Sequence, residues 1–185
     1  MMIYFTADTH FRHSNIIEYC NRPFDSIDEM NSIFIQKWNE KVDPGEHVFH
    51  LGDFGFGKKD ELLEIKNKLN GKIFFIKGNH DKDTKKIRNE FEIFCQYHEL
   101  NVKGYFEDVK KELILFHYPI EKWNKCHYGS IHLHGHQHSD HKLTGENRVD
   151  VGVDSWNYTP VSLFEILELC ESKEPVENPF EGGYH

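Results

Sequence analysis

The chain has 185 residues, of which 38% are hydrophobic and 14% aromatic, and this is the composition of a globular protein with a core of its own. Its formal net charge of −9 argues against a protein that coats nucleic acid by electrostatic attraction alone. No apolar run approaches the roughly 20 residues of a membrane-spanning helix, and the first residues lack the basic segment of a signal peptide. We therefore expect a cytoplasmic protein that does not bind membranes.

Five short apolar runs, rich in β-branched and aromatic residues, predict buried strands, and each runs into polar residues. In chain order they cover residues 3–7, 47–51, 72–77, 112–116 and 130–134. Two further segments, 148–154 and 161–169, have the same character and are predicted to complete a second sheet. Polar residues at the carboxyl ends of such strands are expected to converge.

Helical patterns lie between the first strands. Apolar residues recur every three or four positions over residues 27–38, and Ser26 is a candidate N-cap for this helix. A second helix is predicted over residues 58–70, where Gly71 follows. Strands that alternate with helices indicate an α/β fold. We predict one domain over residues 1–173 and a flexible tail, rich in Pro, Gly and Glu, over residues 174–185.

The cysteines are scattered and form no C-x-x-C pair, so neither a disulfide framework nor a thiolate zinc site is expected. They are interpreted as reduced, mostly buried thiols. They are Cys20, Cys95, Cys126 and Cys170.

The polar residues that follow the five strands include many histidines and acids, and HLHGHQH (132–138) alone carries four imidazoles. Nitrogen and oxygen ligands suit Mn²⁺, Fe²⁺ or Zn²⁺ rather than Ca²⁺. A structural zinc needs only four ligands, whereas seven candidates would serve two neighbouring metals that share a carboxylate. The candidates and the two residues beside them are Asp8, His10, Asp53, Asn79, His80, Asp81, His117, His136 and His138.

These residues form five ordered motifs, D-x-H, G-D, G-N-H-D, H and G-H-x-H, between Asp8 and His138. In this the chain resembles the calcineurin-like metallophosphoesterase superfamily, and its length resembles the small single-domain members of the bacterial and phage type. The resemblance implies a four-layer α-β-β-α sandwich, in which helices flank two mixed sheets and the active site lies at the carboxyl ends of the strands.

The resemblance also implies a role for each residue of the motifs. Asp8, His10 and His138 would hold the first metal. Asn79, His117 and His136 would hold the second, and Asp53 would bridge the two. A hydroxide shared by the metals would attack phosphorus. His80 would stay unligated and protonate the leaving oxygen, with Asp81 holding its orientation. Mn²⁺ is the first candidate metal, and iron, Zn²⁺ and Ni²⁺ are the alternatives.

Substrate contacts are less determined by the sequence. Arg12, His13 and Arg22 are candidates for phosphate contacts, although His13 would equally suit an exposed loop. Trp123 and Tyr128, in the segment 119–129, could stack on a base or could simply pin that loop.

Several residues near the motifs have two interpretations. His50, His132 and His134 are expected to pack in strands or to support ligands rather than to bind metal. Asp154 either orients a ligand histidine or lies on the surface.

The sequence thus predicts a metal-dependent phosphohydrolase, with phosphodiesters preferred over phosphomonoesters because a poor leaving group gains from a general acid. The substrate would be a phosphate ester, with a nucleotide or a short nucleic acid among the candidates. Two alternatives stay open: an inactive binding scaffold on the same fold, and a repair nuclease that needs a protein partner.

Overall fold

The computed structural model describes residues 1–172, so the predicted tail over 174–185 lies outside the described residues. Two five-stranded mixed sheets pack face to face and are flanked by helices. The first sheet has the order β10-β1-β2-β3-β4, and the second has the order β5-β6-β7-β9-β8. The predicted α/β fold with two mixed sheets is confirmed.

The first sheet is parallel from β1 to β4, and β10 pairs antiparallel with β1. Its strands are β1 (Ile3–Thr6), β2 (His47–His50), β3 (Lys72–Ile76), β4 (Phe94–Cys95) and β10 (Val161–Ser162).

In the second sheet β6, β7 and β9 are parallel, and the outer strands β5 and β8 are antiparallel to their neighbours. Its strands are β5 (Tyr97–Asn101), β6 (Glu112–Phe116), β7 (Ile131–His134), β8 (Leu143–Gly145) and β9 (Arg148–Asp150).

Four α-helices complete the described part of the chain. They are α1 (Asn15–Tyr19), α2 (Ile27–Lys41), α3 (Lys59–Lys68) and α4 (Leu163–Glu171). The two predicted helices are confirmed as α2 and α3. Ser26 caps α2, and its hydroxyl accepts the backbone N–H of Glu29 at 3.2 Å. None of the helices in residues 1–172 is long and apolar enough to cross a membrane.

One strand prediction was wrong. In the segment 161–169 only Val161–Ser162 forms a strand, and it joins the first sheet rather than the second. The rest is α4, because the Ser162 hydroxyl and the Glu165 carboxylate form a capping box that starts a helix there. The helix then buries Leu163 and Ile166, three positions apart, against the strands.

Two apolar cores hold these layers. One fills the space between the sheets, with Phe5, Phe49, Leu115 and Leu133 among its fully or almost fully buried members. The other lies between the first sheet and helices α2 and α3 and includes Trp38. Burial of this extent is the main favourable contribution to folding, at roughly 25 cal/mol per Å² of apolar surface.

The outer face of the second sheet is covered differently. Among the described residues, the segment 119–129 forms the layer that covers this face, and it contains a short 3-10 helix, Cys126–Tyr128. Trp123 packs on His132 of β7 with ring centroids 5.3 Å apart. Arg148 donates to the carbonyl of Ile120 at 3.3 Å. This face is therefore more polar than the space between the sheets.

Candidate metal centre

The residues that follow the strands meet at one edge of the molecule, where the carboxyl ends of strands from both sheets lie next to each other. Asp8 N donates to Gly52 O at 3.0 Å, and Gly135 N donates to His117 O at 3.0 Å. Ala7 and Gly152 form a parallel bridge between the ends of β1 and β9. These backbone contacts bring residues more than 100 positions apart into one cluster.

Most of the predicted ligands stand on strained backbone. Five of the seven adopt the left-handed conformation, which costs a residue other than glycine on the order of 1–2 kcal/mol. They are Asp8 (φ 57°), His10 (φ 48°), Asp53 (φ 57°), His136 (φ 75°) and His138 (φ 49°). Strain of this kind concentrates at functional sites, where the surrounding structure holds it in place.

One group of donor atoms consists of Asp8, His10 and His138. The Nε2 atoms of His10 and His138 lie 3.2 Å apart. His138 directs its Nδ1 to the Asp154 carboxylate at 2.9 Å, so in the neutral ring the lone pair lies on Nε2. Asp8 Oδ1 is buried here and has no hydrogen-bond partner among residues 1–172. Unpaired lone pairs that face one another in a buried site fit a cation.

A second group forms around His117. Its Nδ1 donates to the carbonyl of Leu51 at 2.7 Å, which leaves the lone pair on Nε2. That Nε2 faces Asn79 Oδ1 at 2.8 Å and Asp53 Oδ2 at 3.5 Å. In this arrangement three acceptors converge and none of them donates, so these residues also fit a cation.

The two groups adjoin each other. Asp53 Oδ2 lies 3.6 Å from His10 Nε2 as well as 3.5 Å from His117 Nε2. Asp8 belongs both to the group with His10 and His138 and to a group with Asp53 and His117. Carboxylates therefore lie between the two sets of imidazoles, as a pair of neighbouring metals would require.

Two glycines allow the carboxylates of Asp8 and Asp53 to lie close to the backbone of neighbouring segments. A Cβ atom at Gly135 would collide with the Asp8 carboxylate, and one at Gly78 would collide with the Asp53 carboxylate. Both positions need a residue without a side chain for this reason.

The electrostatics point the same way. Burial raises the pKa of Asp8 well above its ordinary value and that of Asp53 to about 6. Burial is the largest single influence on the pKa of His138 and lowers it, but the hydrogen bonds to Asp154 and Cys20 and the charges of Asp8 and Cys20 together outweigh burial and raise the pKa to about 10. The carboxylates of Asp8 and Asp154 thus stabilise a positive charge on the His138 ring. A bound cation would supply that positive charge in place of the proton.

His136 and His80 lie at the open side of the cluster. The backbone N–H of His136 donates to Asp8 Oδ2 at 2.8 Å, and its exposed ring is 5.2 Å from that of His117. The backbone N–H of His80 donates to Asp53 Oδ1 at 2.8 Å, and its exposed ring is 5.7 Å from that of His10. The structure thus brings all seven predicted ligands and His80 together.

Asp81 takes a different position from the one expected. Its carboxylate accepts the backbone N–H groups of Asp53 (2.7 Å), Phe54 (3.0 Å) and Gly78 (2.7 Å). The expected contact with the His80 ring is not among its hydrogen bonds. Asp81 joins the loops after β2 and β3, because it is fully buried and three backbone donors surround it.

Arg22 is not available to a substrate phosphate. Its side chain is buried and forms a two-point ion pair with Asp154, at 2.7 and 2.9 Å. It also donates to the backbone carbonyls of Asp8 (2.8 Å) and Thr9 (3.2 Å). Asp154 in turn accepts from His138, so the interpretation of Asp154 as a residue that orients a ligand histidine is the one the structure supports.

The remaining predicted contacts divide. His13 lies beside the cluster, with its ring 5.8 Å from that of His10. Arg12 instead pairs with Glu61 of α3 at 2.7 Å. Trp123 and Tyr128 lie in the layer over the second sheet, and Tyr128 is 90% exposed. The structure does not bring these two aromatic residues to the predicted metal ligands.

Three histidines pack as expected. The Nδ1 atom of His132 contacts the carbonyl of Ile114, and its Nε2 atom contacts the carbonyl of Tyr118 and the backbone N–H of Ile120. His134 forms hydrogen bonds with Gly135 O and Thr144 Oγ1. His50 contacts Thr9 Oγ1 at 3.0 Å. Burial lowers their pKa values to about 4, 3 and 3, respectively.

Sequence analysis missed four neighbours of the cluster. Asp150 is buried beside Asp8, and burial raises its pKa to about 7. Cys20, a half-buried free thiol, forms a group with His138 and Asp154 that could hold a metal. Phe56 and Tyr118 contact the rings of the predicted ligands His10 and His136. Only Asp150 carried a signal in the sequence, as an acid within an apolar strand.

Fold and site together define an α/β protein with two mixed sheets, whose strand ends carry Asp and His groups that could hold metal. The chain belongs to the same family as the uncharacterized protein MJ1445 of Methanocaldococcus jannaschii, with which it shares 38% identity over 94% of both chains. No protein-family model matches it.

Two solved structures resemble this fold. The crystal structure of AQ665 from Aquifex aeolicus, a protein of unknown function, has a TM-score of 0.69 and 27% identity, over 91% of this chain and 98% of that one. A novel archaeal phosphodiesterase has a TM-score of 0.47 and 18% identity, over 82% of each chain.

Proposed function

We propose that this protein is a metal-dependent phosphoesterase that prefers phosphodiesters and works with two divalent cations. One observation carries the proposal: lone pairs and carboxylate oxygens converge in two adjoining groups, with Asp53 Oδ2 within 3.6 Å of a histidine nitrogen in each. Asp8, His10 and His138 would hold one cation, and Asn79, His117 and His136 the other, with Asp53 between them.

Bound divalent cations would polarise the phosphoryl group and make water a nucleophile at neutral pH. The chain itself supplies the remaining functions. Arg22 and Asp154 orient His138 from behind, and the carbonyl of Leu51 orients His117. Both rings are therefore held with Nε2 towards the cluster.

His80 is proposed as the general acid. Its exposed ring lies next to the cluster, while its backbone N–H holds Asp53 Oδ1 and so ties the position of the ring to that carboxylate. From there the ring would donate a proton to the leaving oxygen. An alkoxide leaving group is strongly basic and needs this proton.

The test begins with metal content and turnover. Wild-type protein loaded with Mn²⁺ should approach two metals per chain and hydrolyse bis(p-nitrophenyl) phosphate faster than p-nitrophenyl phosphate. Asp53→Asn should lose both metals and the activity. Asp108→Asn, which removes an exposed acid elsewhere, is the matched control and should behave as wild type.

Two outcomes would overturn the proposal. One is full metal content and turnover in Asp53→Asn. The other is a wild-type protein that hydrolyses neither ester with Mn²⁺, iron, Zn²⁺ or Ni²⁺.

A further inference from the structure

Two sets of aromatic side chains adjoin the cluster from different sides. We define the Phe56 group as Phe56, His13 and Tyr19, and the Tyr118 group as Tyr118, Phe116 and Tyr97. The proposed mechanism uses neither group.

The Phe56 group contacts the His10 side. The Phe56 ring stacks on His10 with centroids 6.0 Å apart and an angle of 14°, and it lies 6.0 Å from the ring of His80. His13 packs on Phe56 at 4.7 Å and on Tyr19 at 6.2 Å. Tyr19 is 71% exposed, so the group leads from His10 to solvent.

The Tyr118 group contacts the His117 side. The Tyr118 ring is 4.8 Å from that of His136 and 5.1 Å from that of His117. Phe116 follows at 5.5 Å, and Tyr97 on the edge strand β5 at 6.4 Å from Phe116. Tyr118 and Tyr97 are 37% and 42% exposed. This group leads outward from the other half of the cluster.

Exposed aromatic rings in this arrangement need an explanation. Large aromatic side chains are worth most when buried, so rings that stay open beside a polar cluster are suited to a ligand with a planar face. A phosphodiester carries one substituent on each side of the phosphorus atom. One aromatic group contacts His10 and the other contacts His117, so each adjoins a different half of the cluster.

We propose that the substrate is a short single-stranded oligonucleotide, whose bases on either side of the scissile phosphate stack on the Phe56 and Tyr118 groups. This rests on the proposed phosphodiesterase function. The base on the Phe56 group belongs to the leaving nucleotide, because His80 lies there and would protonate its oxygen. P–O cleavage then releases that nucleotide as an alcohol, and the water oxygen remains on the other nucleotide's phosphate.

Charge favours a short strand over a duplex. The chain carries a formal net charge of −9, which disfavours binding through many phosphate contacts along a duplex. Stacking on aromatic side chains binds single strands largely independently of sequence. It also requires unpaired bases, which a duplex does not offer.

The test uses three phosphorothioate diesters that share the same reacting centre and resist hydrolysis. They carry two nucleosides, one nucleoside and one methyl group, or two methyl groups. Binding to the Mn²⁺-loaded protein is measured by calorimetry. Each base should raise the affinity about tenfold, the order expected for one base stacked on an aromatic ring.

Variants assign the bases to the groups. Tyr118→Leu and Tyr19→Leu should each lower affinity for the dinucleoside to about that of the one-base ligand, while metal content stays unchanged. Phe164→Leu is the matched control and should change nothing, because this exposed ring lies on α4 against Phe106.

Equal affinity for the three diesters would overturn the inference, as would full affinity for the dinucleoside in both Tyr118→Leu and Tyr19→Leu. Turnover of bis(p-nitrophenyl) phosphate separates the two levels of the argument. If the protein hydrolyses that ester but binds the three diesters equally, only the base stacking fails. If it hydrolyses no ester, the proposed function itself fails.

Discussion

The orientation of each of two predicted ligand histidines is set by the hydrogen-bond partner of the ring nitrogen that faces away from the cluster. His117 and His138 each commit Nδ1 to an acceptor, the Leu51 carbonyl and the Asp154 carboxylate, and so present Nε2 to the cluster. Each histidine tautomer is therefore fixed by a partner that no short motif contains. His80 differs, because in the described part of the chain no hydrogen bond fixes its ring, and this residue is exposed at the mouth of the cluster.

The first prediction concerns His80. His80→Ala should keep both metals and lower kcat by about 10²–10⁴-fold, the usual contribution of general acid catalysis. The loss should be larger for alkyl esters than for nitrophenyl esters, whose phenolates leave without a proton. Stopped assays on both ester types, with metal analysis of the variant, provide the measurement.

Equal losses for the two ester types would mean that His80 positions the phosphate instead. Loss of one metal would make it a ligand. His127→Ala, which removes an exposed histidine from the layer over the second sheet, serves as the control.

At the scale of elements, loops rather than strands build the site. The strands bring their carboxyl ends to one edge, and the segments after them turn sharply through left-handed residues to aim the ligands. Arg22, which follows α1, connects two of these segments, because it binds the carbonyls of Asp8 and Thr9 after β1 and the carboxylate of Asp154 after β9. It acts as a positioning residue.

Replacement of Arg22 tests this role. Arg22→Lys keeps the positive charge but loses the planar fork that pairs with Asp154 at two points. Metal affinity should fall about 10–100-fold, as is typical when a partner of a metal ligand is lost. Chelator competition measures the affinity directly, and circular dichroism confirms that the variant folds.

Arg88→Lys, an exposed substitution of the same kind, should leave the affinity unchanged. Wild-type metal affinity in a folded Arg22→Lys protein would exclude the positioning role.

At the scale of the whole molecule, the protein buries neutral histidines as well as apolar side chains. His50, His132 and His134 have pKa values of about 3, 4 and 3, below the ordinary value near 6.5, because burial disfavours the charged ring. The folded chain therefore binds fewer protons at these rings than the unfolded chain at pH values below about 6.5. The contribution of these three neutral rings to the free energy of unfolding is fully present above that pH and is lost as the pH falls towards 3–4.

Acid unfolding tests this expectation. In the metal-depleted protein, each such histidine should contribute a fall of about 1.4 kcal/mol per pH unit to the free energy of unfolding below pH 6.5. Urea titrations between pH 7.5 and 5 give the slope. His50→Gln should flatten it by one histidine's share, whatever its effect on absolute stability.

The exposed His127→Gln variant should keep the wild-type slope. Identical slopes in the wild type and in His50→Gln would contradict the prediction. This comparison is needed because buried Asp53 and Asp150, whose pKa values are raised to about 6 and 7, change stability with pH in the opposite direction in both proteins.

Most strands and the edge at which the polar residues gather could be predicted from the sequence, because they depend on residue type and local pattern. Apolar runs of five or six residues predicted β1, β2, β3, β6 and β7, and the polar residues at the end of each run had to lie at the edge where parallel strands end. The pattern of segment 161–169 was ambiguous, because a short apolar run suits a strand or a buried helix equally. The Ser162 capping box decided for the helix.

The sequence by itself determined which kinds of ligand the chain offers and along which edge they gather, since both follow from side-chain chemistry and strand periodicity. Only the tertiary structure decided which polar residues face the cluster. Arg22 meets Asp154 across 132 positions of the chain, and this ion pair removes its guanidinium from any substrate. Such choices depend on burial and on partners distant in sequence, and a local pattern contains neither.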